Sequence, residues 1–300
     1  GATLAFTLAT KNICSNLLLK DVRENFVQAM ALDISQATNA AKSKTIVQAC
    51  LNDKDFKDCD VIIITAGIAR KPGMSRNDLL LTNAKIMQAV LEDIKKYAPN
   101  SKIIIVSNPL DAMVYAALKI LKFPREQVIG MAGILDSARM SHFICEKLGY
   151  GAGQIESSVM GGHGDAMVPL VNYSTVAGVS LPELLSKEDI EDIVTKTKNG
   201  GLQIVKLLET GSAYYAPAHA TSLMVEAILH NTRKIYPCSV MLDGEYDCKN
   251  VVSGVPVMLG SNGIEKIIEL KLNEEQKELF ANSVASVQEL IDTLDEKFFI

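Results

Sequence analysis

This 300-residue chain is 48% hydrophobic, yet it nowhere strings together the apolar residues that a membrane span of about 18 requires. It also lacks a basic patch: the net charge is −5, the pI is near 5.5, and the lysines are scattered. A nucleic-acid-binding surface is therefore not expected. The six cysteines (Cys14, Cys50, Cys59, Cys145, Cys238, Cys248) form no CxxC pair and lie far apart. In a chain this long, that usage reads as reduced thiols in a cytoplasmic protein. There is no HExxH and no Cys/His cluster, so no metal is expected. Repeats, low-complexity tracts and Pro/Gly-rich linkers are missing too. What remains is a chain with material for a large core and one to three domains.

The first residues, GATLAFTLAT, form a glycine followed by an apolar, helix-like stretch, and a short apolar run ending in an acid comes next (Asn16–Val22). Asp21 stands 20 positions after Gly1. About that distance separates the last glycine of a dinucleotide fingerprint from the acid that holds the ribose hydroxyls. An acid at a strand end is also common without any such role. On the dinucleotide reading, a strand and two further glycines are expected upstream of Gly1.

Strand and helix then alternate. DVIIITAG (60–67), SKIIIVSNP (101–109) and QVIGMAG (127–133) read as strands, with helix-period segments between them, one over 77–97. Continuous apolar strands separated by helices predict a parallel sheet covered on both faces. Ligands on such sheets bind at the strands' carboxyl ends, where Asp21, Gly67 and Asn108 fall. After about residue 132 the rhythm changes. Long helical patterns (188–209, 218–231) alternate with antiparallel-looking strands, PCSVMLDGEY and VVSGVPVMLG. A final helix begins at Asn273 with a capping box and an apolar face through Phe280, Val284, Val287, Ile291 and Leu294. The expected division is a nucleotide-binding domain over 1–132 and an α+β domain over 133–300.

Four stretches could carry chemistry. In GGHGD, three glycines surround His163, removing bulk so that a substrate can approach the ring, whose pKa range suits proton transfer near neutrality. His142, His219 and His230 sit in helical patterns and read as structural. In LDSARM, Asp136 and Arg139 share a helix face amid apolar neighbours. They are either a surface ion pair or a buried carboxylate that orients an imidazole beside a guanidinium fork for a carboxylate. Asn83 falls on the apolar stripe of its helix, so its amide needs a partner, internal or cofactor. Asn108, in SNPLD, is either a turn residue or a ligand-facing amide. Finally, IARKPGMSR (68–76) places Arg70 and Arg76 around a run that can hardly be helical, a plausible lid.

Taken together, Asp21, TAG (65–67), RKPGMSR, SNPLD, LDSAR and GGHGD resemble the lactate/malate dehydrogenase family in order and spacing, over essentially the whole chain. The similarity is greatest to its lactate-dehydrogenase-like malate dehydrogenases. The resemblance implies a Rossmann-type doubly wound α/β domain followed by an α+β catalytic domain, NAD as cofactor, and a homodimer or homotetramer. It implies that His163 exchanges the proton, Asp136 orients it, Arg139 binds the carboxylate at the reacting end, Arg76 polarises the carbonyl and Asn108 contacts substrate and cofactor. Arg70 would read the rest of the substrate; lactate-specific relatives have glutamine there. Gly1, as the fingerprint's last glycine, with Asp21, Asn83 and the Val106, Ser107 and Asn108 backbone, would face NAD. Two alternatives stay open: a lactate or other 2-hydroxy-acid dehydrogenase, and a non-catalytic scaffold, should the expected upstream strand be missing.

Overall fold

The computed structural model describes residues 1–68 and 74–300. Arg70, on which substrate choice was expected to turn, lies outside the described residues.

Short parallel strands made largely of isoleucine and valine form the centre. β3 (Val61–Ile64), β4 (Lys102–Ile105) and β5 (Val128–Gly130) pair in parallel, with Ile62 opposite Ile103 and Ile104 opposite Ile129. Their side chains alternate between two apolar layers. Ile64, Ile103, Ile105 and Val128 pack with α3 (Arg76–Tyr97), α4 (Leu110–Leu121) and the end of α9 (Glu274–Lys297). Ile104 and Ile129 face α1 (Ala2–Thr10) and α8 (Tyr215–Leu229). A sheet apolar on both faces needs helices on both, as the unbroken apolar runs predicted. β1 (Asn16–Leu19) pairs in parallel with β2 (Ile46–Ala49), and α2 (Glu24–Ala40) packs on them. Among the described residues, no ladder joins β1 to β3.

The strands are shorter than the apolar runs that announced them. β3 ends at Ile64 because Thr65–Gly67 turns away, with Gly67 at φ +149°. β4 ends at Ile105 because Val106–Pro109 turns into α4, and the Asn108–Pro109 peptide is cis. α3 starts where Ser75 accepts the Asp78 N–H while the Asp78 carboxylate accepts the Ser75 N–H, a reciprocal cap.

The expected division near residue 132 falls inside one continuous sheet. β11 (Lys234–Asp243) runs antiparallel to β5 through Ser239 and Gly130, and β12 (Lys249–Gly260) and β13 (Gly263–Ile267) extend it. α5 (Gly133–Leu148) leaves β5 almost directly, so its first turn is buried. Beyond it lie small antiparallel pieces. β6 (Ile155–Glu156), β9 (Thr175–Val176) and β10 (Val179–Ser180) make one, and β7 (Val159–Met160) with β8 (Val168–Pro169) another. The short helix α6 (Leu181–Leu184) leads into α7 (Lys187–Leu208), which packs on α5. The closing helix has the Asn273–Gln276 capping box, and Phe280, Val287, Ile291 and Leu294 are buried as its period required, with Val284 half-buried.

Candidate active site

Asp136 is the hub of the site. It lies in the first turn of α5, its side chain only 2% exposed because α5 begins inside the core. Both of its oxygens are used. Oδ1 accepts from Arg139 Nη1 at 3.0 Å, and Oδ2 faces His163 Nδ1 at 2.8 Å. The i,i+3 spacing brings the arginine to the carboxylate, and a chain reversal far downstream brings the histidine. A carboxylate on Nδ1 sets the tautomer: Nδ1 carries a proton, and Nε2 is the nitrogen whose protonation changes. Burial pulls the His163 pKa down. The neighbouring Asp136 carboxylate, helped by Asp111, more than offsets this, so the net shift is above the ordinary 6.5.

The backbone around His163 is held at three successive amides. Gly161 exchanges N–H···O bonds with Gly254 of β12 at 2.8 and 3.1 Å. Gly162 N–H donates to Ser283 Oγ of α9 at 2.8 Å, and His163 N–H donates to Asp111 Oδ2 of α4 at 2.8 Å. Gly161 has φ +83°, and a Cβ there would come within 2.7 Å of Ser283 Oγ, so glycine is required. Gly161 and Gly162 thus let three elements grip the loop tightly, whereas a Cβ on Gly164 would meet open space.

Arg139 is 16% exposed and lies against α7, where a Cβ on Gly201 would sit 3.1 Å from Nη2. Its Nε is buried and, among the described residues, lacks a hydrogen-bond partner. A buried guanidinium with donors left over fits an anionic ligand, and a carboxylate matches its fork.

A second constellation lies where β3 and β4 end. The Asn83 carboxamide accepts the Ile68 N–H at 2.8 Å and donates to Ile68 O at 3.2 Å and Asn108 O at 2.6 Å. Asn83 is 1% exposed, so the partner it needs is internal. It ties the last described residue before position 69 to Asn108, whose own side chain stays exposed. Ser107 is buried and donates to Ala66 O at 2.5 Å, closing the two strand ends together, and Val106 is half-buried beside it. The N-terminus of α1 reaches the same edge: a Cβ on Gly1 would lie 3.3 Å from Thr65 Oγ1.

Asp21 lies two residues past the end of β1, within electrostatic reach of the Gly1 N-terminus, with its carboxylate held by Arg23 side chain and backbone at 3.0–3.4 Å. Those hydrogen bonds hold its pKa below the ordinary carboxylate range. Arg76 is exposed on the first turn of α3, and among the described residues it pairs with no carboxylate. The structure therefore assembles Asp136, Arg139 and His163 directly, and Asn83 with Asn108 through backbone. It brings Asp21 near the Gly1 N-terminus, while Arg76 joins none of these groups among the described residues. Asp111, Ser239 and Ser283, which hold the histidine loop, went unread in the sequence. The available signal was an acid, Asp111, at the head of a helix apolar on every side.

Family models match both halves: the lactate/malate dehydrogenase NAD-binding domain over residues 1–130, and the lactate/malate dehydrogenase α/β C-terminal domain over 134–298. The chain belongs to the lactate/malate dehydrogenase family. It is 63% identical over 299 residues to the malate dehydrogenase of Aliarcobacter butzleri, covering 100% of this chain and 95% of that protein. The Cryptosporidium parvum malate dehydrogenase crystal structure superposes with a TM-score of 0.95 at 39% identity, covering 99% of this chain and 96% of that one. The lactate dehydrogenase of the same organism, solved with lactic acid and nicotinamide adenine dinucleotide, superposes at 0.94 with 36% identity, covering 98% and 94%. The fold is thus shared by enzymes of both names, and the Rossmann-type half of this family member is its NAD-binding domain.

Proposed function

We propose that this family member is an NAD-dependent malate dehydrogenase, interconverting malate and oxaloacetate. One observation carries the reading: a single buried carboxylate, Asp136, holds a histidine on one oxygen and an arginine on the other. Oxidation of a 2-hydroxy acid requires a proton carrier beside a carboxylate receptor, and that arrangement supports the reading. The full-length likeness to a malate dehydrogenase supports the choice of acid.

The residues at the strand ends fit a dinucleotide. Gly1 presents the N-terminus of α1, an anion-binding position. Asp21 offers a carboxylate beyond β1, and the Val106, Ser107 and Asn108 backbone forms the neighbouring edge. Asn83 serves the cofactor side through Ile68 and Asn108, because its own amide is spent. When bound, NAD supplies the hydride acceptor or donor. His163 takes a proton from the substrate hydroxyl at Nε2, or returns it. Asp136 keeps the ring oriented and stabilises its cation. Arg139 forks the carboxylate beside the reacting carbon, Arg76 polarises the carbonyl, Asn108 contacts substrate and cofactor, and Arg70 reads the rest of the substrate. Excluding water strengthens each of these interactions.

A lactate dehydrogenase is the competing reading, favoured by the near-equal fit to the lactic acid complex. Arg70 argues against it, since oxaloacetate has a second carboxylate for that guanidinium and pyruvate has only a methyl group. We also place the protein in the cytoplasm, as a homodimer or homotetramer; among the described residues no helix is long and apolar enough to cross a membrane, and the six thiols are free. NADH oxidation with oxaloacetate and with pyruvate tests the assignment. Faster turnover of oxaloacetate is expected; preference for pyruvate would favour the lactate reading, and no turnover of either the scaffold reading.

A further inference from the structure

Asp111 is a buried carboxylate for which the proposed chemistry has no use. It is 4% exposed, in the first turn of α4. Oδ1 accepts from Ser239 Oγ of β11 at 2.6 Å, and Oδ2 accepts the His163 N–H at 2.8 Å. Among the described residues no lysine or arginine pairs with it. Burying an unpaired negative charge is costly, and its pKa is raised by burial despite the Ser239 and His163 hydrogen bonds.

Holding a backbone amide does not require that cost. The preceding amide, Gly162 N–H, is satisfied by a neutral hydroxyl, Ser283 Oγ, at the same 2.8 Å. What distinguishes Asp111 is that it can carry a charge, both oxygens accepting hydrogen bonds as a carboxylate's do, next to the one residue whose protonation state is to change. We propose that Asp111 is a positioning residue for the reaction: it anchors the His163 backbone, and its negative charge, with that of Asp136, favours the imidazolium over the neutral ring.

The groups around His163 agree with this division of labour. Helix α5 presents Asp136, which favours the cation, and Arg139, which opposes it. Helix α4 presents Asp111, which favours it. The contacts from α9, β11 and β12 (Ser283, Ser239 and the Gly254 backbone) are neutral. With Arg139 subtracting, two carboxylates rather than one hold the ring's proton. The placement is economical, because α4 also follows directly from Asn108: one strand-to-helix turn carries both a substrate-facing amide and the histidine's anchor.

The inference rests on the proposed function, so its test needs a readout apart from turnover. That readout is the NMR titration of the imidazole C–H signals in the full chain, where His163 is one of four histidines and is assigned by its loss in His163→Asn. In Asp111→Asn, which keeps shape and an acceptor oxygen, the His163 midpoint should move to lower pH. The alkaline fall of kcat/KM for oxaloacetate should move with it. If Asp111→Asn does not fold, Ser239→Ala takes its place: without the hydroxyl the ionised carboxylate is less favoured, and a smaller shift in the same direction is expected. An unmoved midpoint in the variant that folds, accompanied only by lower heat stability, would overturn the inference and leave the function standing. A wild-type chain that fails to reduce oxaloacetate would overturn both.

Discussion

A carboxylate that touches an imidazole and a guanidinium at once does two kinds of work, and Asp136 separates them by oxygen. Toward His163 it biases protonation; toward Arg139 it fixes a fork. The elevated His163 pKa gives a signed expectation. On the proposed mechanism, reduction of the keto acid consumes the protonated ring, so its rate should be full at lower pH and fall as pH rises through a midpoint above 6.5. Oxidation needs the neutral ring and should rise over the same interval. Asp136→Asn removes the negative charge that faces Nδ1 and should move both limbs to lower pH while reducing turnover. Initial rates in each direction across pH check this, and a profile flat from acid to alkaline would contradict it. This triad was largely legible in the sequence. The i,i+3 spacing of Asp136 and Arg139 amid apolar residues, and an isolated histidine among glycines, are local facts. Asp111 was not, because its partners, His163 and Ser239, are 52 and 128 residues away, and only the fold brings them to it.

At the scale of elements, the turns that end β3 and β4 matter more than the strands. Sequence showed the apolar runs but extended them too far, because a run such as IIIVSNP continues past the last ladder hydrogen bond without a compositional break. What stops β4 is the turn into α4, and the amide of Asn83 clasps that turn to Ile68. Its position on a buried stripe was readable, and the identity of its partners was not. Replacing Asn83 by Ala would leave the Ile68 and Asn108 backbone groups, which are only part-buried, without these partners, at a cost of about 1 kcal/mol. Denaturant melts should show that loss, and KM should rise as Asn108 loses its tether. Unchanged stability would mean that water replaces the amide and that the clasp is incidental.

For the whole molecule, the sheet passes from one half to the other through Gly130 and Ser239, so the nucleotide edge and the histidine loop are parts of one framework. Composition could not reveal this, since the change from parallel to antiparallel pairing is made by a bridge between residues 109 positions apart (239 − 130). On the proposed reading Arg70 meets the far end of the substrate, and leaving it against a methyl group would cost roughly 3–5 kcal/mol for an unmatched desolvated charge, or about 10²–10⁴-fold in kcat/KM. Arg70→Gln should therefore swing preference from oxaloacetate toward pyruvate; a ratio of kcat/KM values unmoved by the swap would show that Arg70 does not read the substrate. The central claim is that this framework exists to present His163 as the proton carrier. It is tested most directly by measuring NADH-dependent oxaloacetate reduction in His163→Asn, with NADH binding followed by fluorescence in the same samples. The account predicts nucleotide binding retained and turnover reduced by roughly 10²–10⁴-fold; a variant that binds NADH and reduces oxaloacetate at the wild-type rate would contradict it.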